Sequence, residues 1–303
     1  VLGTGDEAGS KAGNYDITFA ADNNAFEITK REITLTAKNR TKTYGQSLTL
    51  GNTAFDLTAG ALAYSEAVDA VTLGSTDGLA SEKSANAGSY AGNITIADAV
   101  GSVGFNIDNY AIKYEAGDLT IDPLAITVTA DAKTKVYGDS DPSLTFSRST
   151  NLIGDDDFVG AMLRATGETV GSYAIEQNTL TIDDGNDGEN YEITFVGSDL
   201  SITKRPITLT VNTRRKTYGE ELVLGNTQFT LSESTPMAFD EDVTGVTLTS
   251  SAKAAGDISA NAGVYEKNIS ASDAQGTGGF DSDNYEINYV AGDLVVDPLK
   301  ITI

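Results

Sequence analysis

The chain has 303 residues, and 44 acidic against 20 basic side chains give it a formal net charge of −24. So strong a negative charge excludes nucleic acid and anionic lipid as partners held by bulk electrostatics. The absence of cysteine and histidine excludes thiol chemistry, disulfide frameworks, the usual imidazole base and histidine-ligated zinc. No apolar run has the length of a membrane span, so no membrane insertion is expected in this segment.

The chain repeats itself over a long period, and the repeats define its expected domains. Residues 31–123 and 205–298 share the motifs KTYG, SANAG and DNYxI, while residues 124–204 carry similar landmarks at shorter spacing. We call residues 31–123 the first module, residues 124–204 the second and residues 205–298 the third. Such self-similarity is typical of a tandem array. Residues 1–30 match the end of a preceding module and residues 299–303 the first strand of a following one, which predicts a piece of a longer array.

Each module opens with apolar residues that alternate with polar ones, as in the segments that follow Ile33 and Ile126. This period of two is typical of a strand with one buried face. We therefore predict an all-β fold, in which mainly antiparallel strands form elongated, sandwich-like modules joined end to end. The alternative is an α+β, β-grasp-like module with one short helix, for which Ala61–Val71 is the candidate.

A Tyr-Gly pair follows the first predicted strand of every module. We interpret the glycine as a residue with positive φ and the tyrosine ring as a cover for the end of the sheet. The competing interpretation is an aromatic ring that stacks on a ligand. The residues assigned this structural role are Tyr44 and Gly45, Tyr137 and Gly138, and Tyr218 and Gly219.

The end of each module has the pattern of a β-hairpin. In the third module, Tyr285 to Tyr289 forms the first arm, Gly292-Asp293 is a glycine-first two-residue turn signal, and Leu294 begins the return arm. Residues 110–121 and 191–202 repeat this pattern.

The modules follow one another with almost no linker. The last apolar residue of one module and the first of the next are always five positions apart, as in Ile202 and Ile207. Because an odd spacing changes the buried face, we expect each strand to leave one core and the next to enter a new core. Pro123, Pro206 and Pro298 stiffen three of these crossings by fixing φ. Three such modules, with strands rising about 3.3 Å per residue, predict a rod of about 100 Å.

One acidic loop is a candidate metal site. Asp183, Asp184, Asp187 and Glu189 concentrate oxygen ligands of the kind that Ca²⁺ prefers, although the loop lacks the EF-hand spacing. The alternative interpretation is a solvated acidic hairpin tip. Calcium is the one cofactor that the sequence suggests.

Two further acidic clusters bear on catalysis. Residues 155–157 and 240–242 have the carboxylates that a glycosidase requires. They lie in polar loops, however, and the first module keeps only Glu66 and Asp69 in the corresponding stretch. We therefore predict that the protein is not an enzyme.

The motifs together resemble a known group of bacterial modules. TKVYGDSDPSLTF, GSYAI and NYEITFVGSDLSITK in the second module look like the MBG module, and KTYG, SANAG and NYxI in its neighbours resemble the related YDG module. Both are known from very large bacterial surface adhesins, including filamentous-haemagglutinin-like exoproteins. The resemblance implies a secreted, cell-surface location and a role in adhesion, and it supplies no catalytic residues.

Two functions follow. The first is a stalk, a monomeric rigid rod whose modules contact one another and project a distal region that binds a surface polysaccharide or a host or cell receptor. The second is that the modules themselves bind a glycan, a matrix polymer or like modules on another cell. The modules share mainly apolar, Gly and Tyr positions, whereas loops such as residues 75–83 and 249–257 differ. This difference favours the stalk.

Overall fold

The computed structural model describes residues 28–303, except residues 103, 235 and 252–254. The expected remnant of a preceding module lies outside the described residues up to position 27, and residues 28–30 are exposed and outside strands. By its internal contacts the chain divides into two compact units. Unit 1 holds the described residues up to Lys42 and Gln46–Ile121, and unit 2 holds Thr43–Gly45 and Asp122–Ile303.

The strands recur in three sets. The first set is β1 (Arg31–Ala37), β2 (Arg40–Thr43), β3 (Phe55–Gly60), β4 (Ala67–Ser75), β5 (Gly88–Ser102), β6 (Tyr110–Glu115) and β7 (Gly117–Asp122). The second is β8 (Leu124–Ala130), β9 (Lys133–Val136), β10 (Phe146–Arg148), β11 (Asp157–Val159), β12 (Leu163–Arg164), β13 (Gly171–Glu176), β14 (Thr181–Asp183), β15 (Tyr191–Val196) and β16 (Ser198–Thr203). The third is β17 (Arg205–Val211), β18 (Arg214–Thr217), β19 (Phe229–Leu231), β20 (Asp242–Ser250), β21 (Gly263–Thr277), β22 (Tyr285–Val290) and β23 (Gly292–Asp297).

Each set forms a three-stranded and a four-stranded sheet. The strand orders are β3-β1-β6 with β2-β7-β5-β4, β10-β8-β15 with β12-β13-β16-β9, and β19-β17-β22 with β18-β23-β21-β20; β11 and β14 form a small extra sheet. In the third module, Ile207 and Leu209 of one sheet share a hydrophobic cluster with Val243 and Val246 of the other. The all-β prediction is confirmed. The sheets are mixed, because the opening strand β17 is antiparallel to β19 and parallel to β22.

The opening segment of each module forms two strands, one in each of the module's two sheets. In unit 1, Ile33, Leu35 and Ala37 of β1 are buried at alternate positions, as the sequence pattern predicts. After Ala37 the chain leaves this sheet, and β2 begins at Arg40 in the other one. The Tyr-Gly pair therefore follows the second strand of the module and not the first.

The predicted closing hairpin is wrong. β22 pairs with β17, whereas β23 pairs with β21 in the other sheet, so the chain crosses between sheets instead of turning back. A glycine-first hairpin turn requires a positive φ at the glycine, and Gly292 does not have one. A Cβ at Gly292 would overlap the carbonyl oxygen of Val211. The glycine is required because two backbones pass closely at the crossing.

The helix of the α+β alternative does not form, and that alternative is wrong. Residues 61–66 form a turn, and Ala67–Val71 is the first part of β4. Tyr64 has a φ of 53°, which interrupts a helix, and the β-branched Val68 and Val71 suit a strand paired with β5. The helical segments whose residues are all described are three-residue 3₁₀ turns at Thr76–Gly78, Ile107–Asn109 and Ser282–Asn284.

The core of unit 2 continues through the boundary between the second and third modules, which we call the seam (residues 203–206). Only Lys204 separates β16 from β17. Tyr137 and Ile202, on one side, belong to the same hydrophobic cluster as Ile207 and Tyr285, on the other. The prediction that the five-residue spacing leads into a separate core is wrong here, because Ile202 and Ile207 contribute to one core.

Candidate functional site at the module joint

Two tyrosines and one carboxylate form a cluster across the seam, which we call the joint cluster: Tyr137, Glu241 and Tyr285. The Tyr137 hydroxyl donates to Glu241 Oε1 at 2.7 Å, and the Tyr285 hydroxyl donates to Glu241 Oε2. The two rings meet edge to face with their centroids 5.5 Å apart, a favourable aromatic geometry. All three side chains are buried. The carboxylate thus joins residues of two modules in a place with little access to water.

The backbone positions the cluster from both sides. Tyr137 follows β9, and its N–H donates to the carbonyl oxygen of Thr203 at 2.9 Å. Tyr285 begins β22, and its hydroxyl oxygen accepts the N–H of Ala238 at 3.1 Å. Phe239 adds its ring against Tyr137, at a centroid distance of 5.5 Å. The Tyr285 hydroxyl therefore has both of its partners inside the third module, whereas the Tyr137 hydroxyl bonds Glu241 across the joint.

Gly138 lies directly between the two modules. Its φ is 82°, and a Cβ built on it would overlap the Cβ of Ala238 in the third module. A larger residue would strain the backbone and push the modules apart. The sequence predicted the positive φ of this residue, but not its contact across the joint.

Polar side chains bridge the seam around the cluster. Arg205 donates from Nε to the carbonyl oxygen of Tyr137 at 2.7 Å and forms an ion pair with Asp139. Asn284 is buried, and its Oδ1 accepts the N–H of Val170 at 2.9 Å. The backbone groups that the seam removes from water are thereby satisfied.

The same arrangement occurs a second time within unit 2. Tyr44 donates to Asp156 Oδ2 at 3.0 Å, and Tyr191 donates to the same oxygen at 2.6 Å. The ring centroids are 5.4 Å apart, again edge to face. Gly45 has a φ of 85°, and a Cβ there would lie 2.6 Å from Cδ1 of Ile153. The geometry is retained although an aspartate replaces the glutamate.

The tyrosine hydroxyls of both clusters resist ionisation. Burial, followed by the hydrogen bond to Asp156, raises the pKa of Tyr44 to about 12. Burial and the hydrogen bond to Glu241 raise the pKa of Tyr137 to about 12 as well. The pKa values of Tyr191 and Tyr285 are raised for the same reasons. A phenolate beside a carboxylate would place two negative charges together, so the hydroxyls remain donors at neutral pH.

The acidic clusters considered for glycosidase chemistry contribute to these joints. Asp156 and Glu241 each accept two tyrosine hydroxyls. The sequence identified both acids but not their partners. A comparison of the three modules was the available signal. Each module has an acidic residue well before the tyrosine of its NY motif: Glu66 is 44 residues before Tyr110, Asp156 is 35 before Tyr191, and Glu241 is 44 before Tyr285.

The third Tyr-Gly pair lies on an open surface. Tyr218 is 41% exposed, and a Cβ on Gly219, whose φ is 92°, would meet nothing within 4 Å. Thr217, Glu220 and Pro298 line an open cavity of about 630 Å³ beside it. Residues 299–303, expected to begin a following strand, lie outside strands.

The predicted stiffening prolines lie at the ends of modules. Pro123 lies between β7 and β8, Pro206 is the second residue of β17, and Pro298 follows β23. All three are exposed. Pro206 lies opposite Glu286 in the parallel pair of β17 and β22. Their effect on stiffness stays a prediction.

A buried lysine lies two residues before each Tyr-Gly pair, and the sequence analysis did not single it out. Lys42 and Lys216 donate from Nζ to loop carbonyl oxygens, whereas Lys135 forms ion pairs with Asp141 and Glu168 at 2.6 and 2.5 Å. Burial lowers the pKa of Lys42. Lys135 is also desolvated, but its hydrogen bonds to the two carboxylates outweigh this effect and raise its pKa. The recurring K-[TV]-Y-G motif was the available signal.

The acidic loop suggested for calcium is organised around one residue. The carboxylate of Asp184 is buried and accepts the backbone N–H groups of Asn186, Gly188 and Asn190 at 2.8, 2.9 and 2.8 Å. The other candidates are exposed: Asp183, Asp187 and Glu189. Within the described part of the chain, no group of three acidic side chains is placed to hold a metal ion. Calcium binding by this loop stays a prediction.

Comparison with protein-family models finds the MBG domain of the YGX type at residues 33–120, 126–201 and 207–295. One family model thus matches all three modules, including the two that resemble the YDG module. No curated protein gives a significant match. Repeats of this family are a non-catalytic type found in bacterial surface adhesin-like proteins, and they are typical of extracellular proteins. The described residues include no helix long and apolar enough to cross a membrane.

Proposed function

Because the chain belongs to the family of YGX-type MBG domains, we propose that it is a stalk segment of a bacterial surface adhesin. In this role, stiff joints between modules keep a distal adhesive region away from the cell. The observation that carries the proposal is the continuous hydrophobic core at the seam, with a single residue between the strands of two modules.

The energy of the seam favours a fixed angle. Bending it far enough to separate Tyr137 from Tyr285 would expose apolar surface, and each 100 Å² exposed costs about 2.5 kcal/mol. It would also break the hydrogen bonds of Glu241 and Asn284, at about 1 kcal/mol each. These costs are several times the thermal energy. A flexible Gly/Ser linker has no such restraint.

One observation favours the alternative, in which the modules bind a ligand. The first and third modules each have a groove beside the loop that differs in sequence between them (residues 75–83 and 249–257). The groove volumes are about 460 and 730 Å³. One hydrogen bond recurs at equivalent described residues of the two loops, since Ser75 Oγ bonds Asn93 Oδ1 at 2.7 Å and Ser250 Oγ bonds Asn268 Oδ1 at 2.5 Å. The two loops therefore differ in sequence but keep this contact, which is compatible with a similar binding site in both modules. A glycan array probed with the full chain tests this alternative.

Small-angle scattering of the full chain at low concentration tests the stalk. We expect an extended particle, and we expect Tyr137→Ala to widen the distribution of distances because its joint loosens. Tyr218→Ala, the same change on an open surface, is the matched control, and circular dichroism verifies that both variants are folded. A compact wild-type particle, or identical profiles for the two variants, would contradict the proposal.

A further inference from the structure

We infer that each module resists stretching through a mechanical clamp, in which pulling on the module's two ends loads a ladder of parallel strand pairs in shear. The ladder joins the segment that opens the module to the segment that closes it. The inference concerns a single module, so it does not depend on the proposed stalk or on a fixed angle at the seam.

The second module shows the whole ladder. β8 pairs in parallel with β15 over six positions, beginning with Leu124 opposite Tyr191. β9 pairs in parallel with β16 over four positions, beginning with Lys133 opposite Leu200. The partners are 67 positions apart in both pairs. One register therefore runs through both sheets of the module, along the full length of its opening and closing segments.

The ladder recurs in the other modules. In the third module, β17 pairs in parallel with β22 over six positions, from Arg205 opposite Tyr285, and β18 with β23 over four, from Arg214 opposite Leu294. The partners are 80 positions apart in both pairs. In unit 1, β1 pairs in parallel with β6 over six positions, and β2 lies next to β7. The arrangement is therefore part of the module fold and not of one sequence.

The direction of the chain decides how tension acts on this ladder. The chain enters the second module at Leu124 and leaves it at Thr203, which is opposite Val136 at the last position of the ladder. Because the strands are parallel, entry and exit lie at opposite ends of the ladder. Tension pulls the two segments in opposite directions along their axes. The hydrogen bonds of a parallel pair are evenly spaced, so they are loaded together and not one after another.

Both strands that receive the tension are interior strands. In the second module, β8 lies between β10 and β15, and β16 lies between β13 and β9. In the third module, β17 and β23 likewise have a neighbour on each side. Such a strand cannot be lifted off the sheet as an edge strand can, so its extraction must break two rows of hydrogen bonds.

The core opposes sliding of the two segments as well. Ile126 and Val128 on the opening segment are buried, and so are Leu200 and Ile202 on the closing segment. A slip of one residue along the strand axis would move such side chains to the opposite face of the sheet. Sliding therefore exposes apolar side chains at the same time as it breaks hydrogen bonds.

Single-molecule stretching of the full chain with optical tweezers tests the clamp. The chain has no cysteine, so two introduced cysteines define where the handles attach. The first is Ala125→Cys, near the start of β8, in both arrangements. The second is Lys204→Cys, just after β16, for shear, or Glu192→Cys for peeling, because Glu192 lies directly opposite Ala125 in the ladder. All three residues are exposed.

The two arrangements differ only in how they load the same ladder. Peeling removes β15, an edge strand, from β8 one pair at a time, whereas shear must break several pairs in one step. Each additional hydrogen bond broken in that step slows unfolding about fivefold. At the same force we therefore expect the second module to unfold at least about twentyfold more slowly in shear than in peeling.

A matched pair of variants locates the clamp within the module. Ile126 in β8 is 1% exposed and belongs to the ladder, whereas Ile182 in β14 is 2% exposed and lies outside it. Ile126→Val and Ile182→Val each remove one buried methyl group and lower the equilibrium stability by similar amounts. In the shear arrangement, Ile126→Val should raise the unfolding rate about two- to tenfold, and Ile182→Val should leave it nearly unchanged.

Two results would overturn the inference: a smaller difference between shear and peeling than expected, or equal acceleration by the two valine variants. Thermal melting without handles verifies that every variant is folded. The stretching experiment reports the second module alone, whereas scattering reports how modules are joined, so a failure of the clamp is distinguishable from a failure of the stalk proposal.

Discussion

Tyr137 and Tyr218 have the same neighbours in sequence and different surroundings in the structure. Each tyrosine follows a short strand and precedes a glycine with a φ near 90°. Tyr137 is 4% exposed and Tyr218 is 41% exposed. The difference is that the third module packs on Tyr137. The Tyr-Gly pair is therefore a contact for a neighbouring module more than a part of its own module's core.

The largest expected effect comes from removing the ring. Tyr137→Ala should lower the free energy of unfolding by about 3–5 kcal/mol, because it leaves a cavity at the seam and removes a partner of Glu241. Tyr218→Ala should cost about 1 kcal/mol or less, since its ring is already partly in water. Urea unfolding of the full chain measures both values, and equal losses would show that the seam adds nothing.

High pH should weaken the closed joint. The pKa of Tyr137 is raised from 10.0 to about 12, so its contribution is fully present below pH 10. As the pH rises from about 10 to about 12, the unfolded chain releases the proton first, and stability falls by about 2–3 kcal/mol. Tyr137→Phe lacks this titration. Its unfolding free energy should decline less between pH 9 and 12 than that of the wild type, and parallel curves would refute the assignment.

The glycine after each tyrosine sharpens the comparison. Gly138→Ala and Gly219→Ala share the strain of a positive φ, about 1–2 kcal/mol. Only the first places a methyl group against Ala238, which adds about 1–3 kcal/mol of overpacking. The melting temperature of Gly138→Ala should therefore be lower than that of Gly219→Ala. The reverse order would mean that the modules are not in contact at this point.

The smallest difference is expected at the asparagine before the NY tyrosine. Asn284→Ala leaves the N–H of Val170 without its acceptor in a half-buried place, a loss of about 1–2 kcal/mol. Asn109→Ala, at the exposed equivalent position in unit 1, should change stability by less than about 0.5 kcal/mol. Hydrogen exchange at the Val170 amide reports the change directly, and unchanged protection would count against this hydrogen bond.

Local patterns in the sequence predict the strands well. The alternation at Ile33, Leu35 and Ala37 gives the buried face of β1, and the repeats give three matching sets of strands. The closing hairpin was mispredicted because Gly292 has the local signature of a turn. Its real constraint, the carbonyl oxygen of Val211, is distant in sequence.

The joint was the least predictable feature for the same reason. Tyr137 and Glu241 are 104 residues apart in sequence and belong to different modules. Period and propensity describe one module at a time, so Glu241 looked like part of an acidic loop. The five-residue spacing of Ile202 and Ile207 likewise reports a change of strand face, but not that the two cores merge.

Residual dipolar couplings of the full chain test the central claim most directly, because they report the orientation of each module. We expect the amides of residues 124–203 and 206–297 to fit one alignment tensor, and Tyr137→Ala to separate them into two. Two tensors of different magnitude in the wild-type chain would show that the second and third modules reorient independently, and would contradict a fixed joint.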